Sequence, residues 1–194
     1  MNQNLTEIAC VVDRSGSMAS IRSDAIGGFN TFLEGQKAHP GRARLTLVLF
    51  DHEYQVVHDG KDIRAVPPLD EATYMPRGTT ALLDAIGRTV DDIGARLART
   101  PEAQRPGKVI VSILTDGLEN ASKDYTRERI ATMIEHQRTK YGWDFIFLAA
   151  NQDAIQVAAG MAIPAQDAIG YAATAAGTRA AWDDLNATVR RRRG

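Results

Sequence analysis

The chain has 194 residues, 44% of them hydrophobic and 24% charged, with a formal net charge of -1. That size supports one domain with a real core, and the balanced charge argues against a nucleic-acid or anionic-membrane binder. A single cysteine, Cys10, excludes an internal disulfide framework and a multi-cysteine zinc site.

Residues 5–12 read as a buried strand, with Ile8-Ala9-Cys10-Val11-Val12 as its apolar run and Cys10 as a packing residue. Asp13-Arg14-Ser15-Gly16-Ser17 follows at once, in a loop expected over 13–20. From Ile21 the positions Ala25, Ile26, Phe29, Phe32 and Leu33 keep helical spacing until His39-Pro40-Gly41 turns the chain. Residues 45–50 form a second strand. Tyr54–His58 alternates as a hairpin partner, so the third strand is expected to be antiparallel and at an edge.

A loop opening at Pro67-Pro68 leads to Gly78-Thr79-Thr80. The clearest amphipathic helix comes next, with Leu83, Ile86, Val90, Ile93 and Leu97 spaced 3 and 4 apart. Residues 101–107 read as a loop. Val109–Leu114 is a continuous apolar strand of the kind covered on both faces. Thr126 is the expected N-cap of a helix through Ile130, Met133 and Ile134. Residues 143–148 form another buried strand. The alanine-rich remainder suggests a short strand near 168–170 and a last helix from about Thr174.

Alternation of strands and helices implies an α/β fold: a Rossmann-like doubly wound sheet, mainly parallel, with one antiparallel edge strand and helices on both faces. No repeat or low-complexity linker divides residues 1–194. Ligands of such sheets bind beyond the carboxyl ends of the strands. Those ends are Asp13, Phe50-Asp51, Thr115-Asp116 and Asn151.

Three segments therefore meet at one rim: Asp13-x-Ser15-x-Ser17, Gly78-Thr79-Thr80 and Leu114-Thr115-Asp116-Gly117. They offer carboxylates and hydroxyls with no His or Cys, a donor set for Mg²⁺, Mn²⁺ or Ca²⁺ rather than zinc. Asp13 and Asp116 balance a divalent charge. If Asp116 acts through water, the ion stays electrophilic toward an outside carboxylate. An EF-hand does not fit, because Met18 stands where glycine is needed, Ile21 at the ninth position and Asp24 at the twelfth. A P-loop is absent from the sequence.

These three motifs, in this order, resemble the von Willebrand factor type A (vWA) domain with its metal-ion-dependent adhesion site (MIDAS). The resemblance is strongest over residues 5–150. It implies a complete site of Asp13, Ser15, Ser17, Thr80 and Asp116, with Thr79 as the alternative to Thr80. It implies Mg²⁺ or Mn²⁺ as the ion, and a partner protein whose Asp or Glu completes the coordination. It implies a binding module rather than an enzyme. The chain lacks the cysteines flanking many secreted members and is similar to intracellular bacterial versions, some of which work with AAA+ ATPases. A competing reading is a metal-assisted hydrolase with Asp51 or Glu119 as base.

Other residues admit two readings each. Thr80 either ligates or caps the 81–99 helix. Arg14 and Arg77 either attract an acidic partner or are solvated surface charges. Tyr74 and Met75 belong to a contact rim or to the core, and Asp51 is a rim acid or a hairpin-turn residue. His39, His52, His58 and His136 lack ligand spacing. Arg190–Arg193 reads as a solvated, frayed tail or a favourable helix end. No stretch approaches the roughly 20 apolar residues of a membrane span. The first seven residues carry no basic segment leading into an apolar one, so the cytoplasm is the expected compartment.

Overall fold

A computed structural model describes residues 1–150 and 153–194. The strands are β1 (Asn2–Asp13), β2 (Arg42–Phe50), β3 (Tyr54–Asp62), β4 (Pro106–Thr115), β5 (Asp144–Ala150) and β6 (Ala168–Tyr171). They form one sheet in the order β3-β2-β1-β4-β5-β6. Every pairing is parallel except β2 with β3, which is antiparallel as expected of the edge hairpin.

The helices are α1 (Arg22–Lys37), α2 (Leu82–Arg99), α3 (Arg127–Tyr141), the short α4 (Ala154–Ala159) and α5 (Ala175–Arg193). Side-chain alternation along β1 divides the core in two. Ile8, Cys10 and Val12 join Phe29, Phe32, Trp182 and Leu185 on the α1 and α5 face. Ala9 and Val11 join Ile86, Val90, Ile130 and Ile134 on the α2 and α3 face. α1 and α5 pack closely because Gly28 leaves room for the Trp182 indole; a Cβ there would lie 2.0 Å from Trp182 Cδ1.

Several elements differ from expectation in extent. Residues 13–20 are not all loop, because Gly16–Ile21 winds into a 3₁₀ turn ahead of α1. The loop expected over 101–107 holds a short 3₁₀ turn at Glu102–Gln104 and the start of β4. The expected cap at Thr126 is present, accepting from the Arg129 backbone N–H at 3.2 Å, and Thr174, the expected start of the last helix, also caps it by accepting from the Gly177 N–H at 3.1 Å. Among the described residues no helix is long and apolar enough to cross a membrane.

β1 lies between β2 and β4, so the chain's crossovers diverge at the carboxyl ends of β1 and β4. That is the switch point where open α/β sheets place ligands. Asp13 pairs with Phe50 across β1–β2, and Val12 with Leu114 across β1–β4. The register thus sets Asp13 beside Thr115 and Asp116. Asn151, the fourth expected strand end, lies outside the described residues.

The expected basic helix end is present at Arg190–Arg193, with Arg190 and Arg191 exposed, but the reading as a frayed tail is corrected by Arg192 and Arg193. Arg192 pairs with Asp167 and lies 3.3 Å from Asp144. Arg193 donates to Gln36 O at 2.7 Å and to Gly41 O at 2.6 Å. These acceptors come from α1, β5 and two turns, so the end of α5 is stapled down rather than frayed.

Candidate metal centre

Asp13 ends β1 fully buried. Its Oδ1 accepts from the Ser15 backbone N–H at 2.6 Å, and its Oδ2 from the Thr115 hydroxyl at 2.6 Å. Its backbone carbonyl accepts from the Tyr74 hydroxyl at 2.5 Å. Both carboxylate oxygens and the backbone carbonyl of Asp13 are therefore held before any ligand is considered. Burial pushes its pKa up to about 6, against the hydrogen bonds from Thr115 and Ser15, and the Asp116 charge adds to the rise.

Asp116 stands across the site and accepts from Ser17 Oγ at 2.6 Å. Burial raises its pKa too, opposed by that hydrogen bond. Ser15 Oγ and Ser17 Oγ are 3.1 Å apart. Thr80 is buried, with its backbone N–H donating to Asn120 Oδ1 at 2.9 Å and its carbonyl accepting from Asn120 N at 3.1 Å.

Gly117 reveals where the hydroxyls point. A Cβ at that position would lie 3.2 Å from Thr80 Oγ1, 3.4 Å from Ser17 Oγ and 4.0 Å from Ser15 Oγ. Three hydroxyls from two segments converge on one small space at the third, which a side chain would fill. Thr80, not the exposed Thr79, joins them. Thr80 is also not the N-cap of α2; that position falls to Ala81.

The loop carrying Thr80 is fixed by its neighbours. Arg77 N donates to Arg14 O at 2.8 Å, and Gly16 N to Gly78 O at 3.1 Å. Gly78 has a φ of +66°, and a Cβ there would lie 2.2 Å from the His52 ring, so only glycine fits.

Arg14 is corrected: it is buried, not a surface charge. Its Nε lies 3.0 Å from Asp51 Oδ2, and Arg77 Nε approaches the same oxygen at 3.0 Å. Arg77 also pairs with Glu53, and Arg14 with Gln55. Asp51 is both a turn residue, accepting from Glu53 N at 2.6 Å, and the anchor of two arginines. Tyr74 is core, whereas Met75 is 53% exposed.

Three contributors were not singled out from the sequence. Thr115 holds Asp13, Asn120 holds Thr80, and Tyr171 on β6 donates to Thr115 O at 3.1 Å. The Thr-Asp-Gly motif displayed Thr115. Nothing local marked Asn120 or Tyr171, whose partners are 40 and 56 residues away.

Among the described residues no group of three His, Cys, Asp or Glu side chains has metal-holding geometry. A cation at this rim must rely on hydroxyls as well as carboxylates. The donor set fits that need: two buried carboxylates, three converging hydroxyls and a space that a Cβ would occupy. Hard oxygen donors of this kind suit Mg²⁺, Mn²⁺ or Ca²⁺.

Compared with known proteins, the chain matches no protein-family profile and no curated protein. Solved structures do match. The vWF domain of the type V pili tip protein Mfa5 from Porphyromonas gingivalis aligns with a TM-score of 0.68 at 12% identity, covering 97% of this chain and 96% of that one. Proximal thread matrix protein 1 from the mussel byssus, with a zinc-occupied MIDAS motif, aligns with a TM-score of 0.61 at 16% identity, covering 97% and 46%. The manganese-loaded TRAP protein of Plasmodium vivax aligns with a TM-score of 0.54 at 16% identity, covering 77% and 58%. The chain spans about half the length of the mussel protein. At these identities the likeness is one of fold, and the fold is that of vWA domains.

Proposed function

We propose that the chain is a protein-binding module in which Asp13, Ser15, Ser17, Thr80 and Asp116 hold a divalent cation that captures an Asp or Glu side chain of a partner protein. The observation that carries this reading is the convergence of three hydroxyls on the space at Gly117, beside two buried carboxylates. Mg²⁺ or Mn²⁺ suits this set best. When bound, such an ion supplies a Lewis-acidic position for an outside carboxylate. Asp13 and Asp116 bring the formal charge to neutrality, and the hydroxyls add none. Thr115 and the Ser15 backbone orient Asp13, Ser17 orients Asp116, and Asn120 sets the Thr80 backbone. The zinc-occupied and manganese-loaded neighbours support a divalent ion on this fold.

The two candidate bases for hydrolysis are already engaged. Asp51 is held by Arg14, Arg77 and the Glu53 backbone. Glu119 accepts from the Leu83, Ala121 and Ser122 backbones and the Ser122 hydroxyl. Neither presents a free carboxylate for proton abstraction, which favours capture over turnover. A cytoplasmic setting is part of the same proposal.

The test is capture of partner protein from native lysate by the immobilised chain. Capture is expected in Mg²⁺ or Mn²⁺ and is lost in chelator and in Asp13→Ala, with an unchanged circular dichroism spectrum. Capture that persists in chelator contradicts the reading.

A further inference from the structure

We propose that the rim is built for a carboxylate flanked by apolar side chains, with Met75 receiving them on one side and Leu118 on the other. The proposal rests on the reading of the site as a carboxylate-capturing metal centre and names the partner segment that this site takes.

Met75 and Leu118 are 53% and 64% exposed. Scattered exposed apolar residues are ordinary. These two differ in position. Met75 follows Tyr74, whose hydroxyl holds the Asp13 carbonyl, and its loop is tied to Arg14 and Gly16 through Arg77 N and Gly78 O. Leu118 follows Gly117, on which the three hydroxyls converge, and its loop is tied to Thr80 through Asn120. Both side chains thus stand on backbone that the site itself fixes. Apolar surface held in place before binding loses little entropy when covered, and methionine is enriched at protein interfaces.

Charge argues against an extended acidic tract. Arg14 and Arg77 are matched by Asp51 and Glu53. Arg22, beside the same loop, donates to the Tyr74 and Glu71 carbonyls. On the other side, a cleft of about 490 Å³ opens past Thr79 and Asn120, and its walls carry Glu53, Asp84 and Asp124 against Arg88 and Lys123. A second acid on the partner meets matched cations on one side and, with Glu53 already paired to Arg77, two acids against two cations on the other, so neither side offers it a surplus of positive charge. One Asp or Glu with Leu, Ile, Met or Phe as immediate neighbours meets the metal centre and both apolar side chains.

The experiment pans a phage-displayed library of short peptides with a fixed central glutamate against the full chain, in Mn²⁺ and in chelator. The expected result is a set of Mn²⁺-dependent binders enriched in apolar residues beside the glutamate. The strongest of these peptides binds about tenfold or more weakly to the Met75→Ser/Leu118→Ser double variant, which still takes up Mn²⁺ as the parent does. Mn²⁺-dependent binders with acidic or unselected neighbours overturn the apolar rim and leave carboxylate capture standing. So do apolar binders that the double variant holds equally well. A yield of no Mn²⁺-dependent binder overturns the capture reading, and the rim with it.

Discussion

Thr115 donates its hydroxyl hydrogen to Asp13 Oδ2 at 2.6 Å, joining the ends of two neighbouring parallel strands. This contact fixes the carboxylate that faces the centre. Thr115→Val keeps the shape and removes the donor. Mn²⁺ affinity is expected to fall about 10-fold to 100-fold, as when other orienting partners of metal ligands are removed. The leftover unpaired carboxylate oxygen costs about 1–3 kcal/mol of stability. Calorimetric Mn²⁺ titration and urea unfolding measure the two effects. Unchanged affinity contradicts a positioning role for Thr115.

Gly117→Ala places a Cβ 3.2 Å from Thr80 Oγ1 and 3.4 Å from Ser17 Oγ. The hydroxyls must give way by a few tenths of an ångström. Mn²⁺ binding is expected to weaken while stability drops by about 1 kcal/mol. A variant that binds Mn²⁺ like the parent shows that the space at Gly117 is not where the donors meet an ion.

Arg14→Ala leaves Asp51 fully buried with Arg77 as its remaining cation. Breaking a buried pair by removing one partner is expected to cost about 3 kcal/mol, read by urea unfolding. The salt dependence of partner capture stays as in the parent, because Arg14 is turned inward. A change in salt slope would restore Arg14 as an attractor of acidic partners.

Burial pushes the Cys10 thiol up to about 12 from 9.0, opposed only by the Ser112 hydrogen bond. Between these values the unfolded chain releases the proton and the folded chain keeps it. Stability is therefore unaffected by this group below about pH 9 and falls as pH rises toward 12. The loss is about 1.4 kcal/mol by pH 10. Cys10→Ala is expected to flatten the unfolding free energy over that range by this amount relative to the parent. An identical alkaline slope in both chains contradicts the assignment.

Much of the fold and the centre was legible because the signals are local. The apolar run before Asp13 marks a covered strand, the 3-and-4 spacing from Leu83 to Leu97 marks α2, and Asp13, Ser15 and Ser17 alternate within five residues. What escaped depends on register between distant segments. Arg14 reads as exposed until β1 and β2 align and bring Asp51, 37 residues away, against it. Tyr74 reaches Asp13 over 61 residues. Arg193 reaches Gln36 over 157, and no spacing rule within α5 marks that contact. Thr80 illustrates the boundary: its motif suggested a cap or a ligand, and its place opposite Gly117 came only with the packed loops.

The most direct measurement is calorimetric titration of Mn²⁺ into the chelator-stripped full chain. A single saturable site is expected, abolished in Asp13→Asn, weakened in Thr80→Ala and retained in Thr79→Ala. Absence of saturable binding in the parent, or equal binding in Asp13→Asn, would show that these five side chains do not form a metal centre.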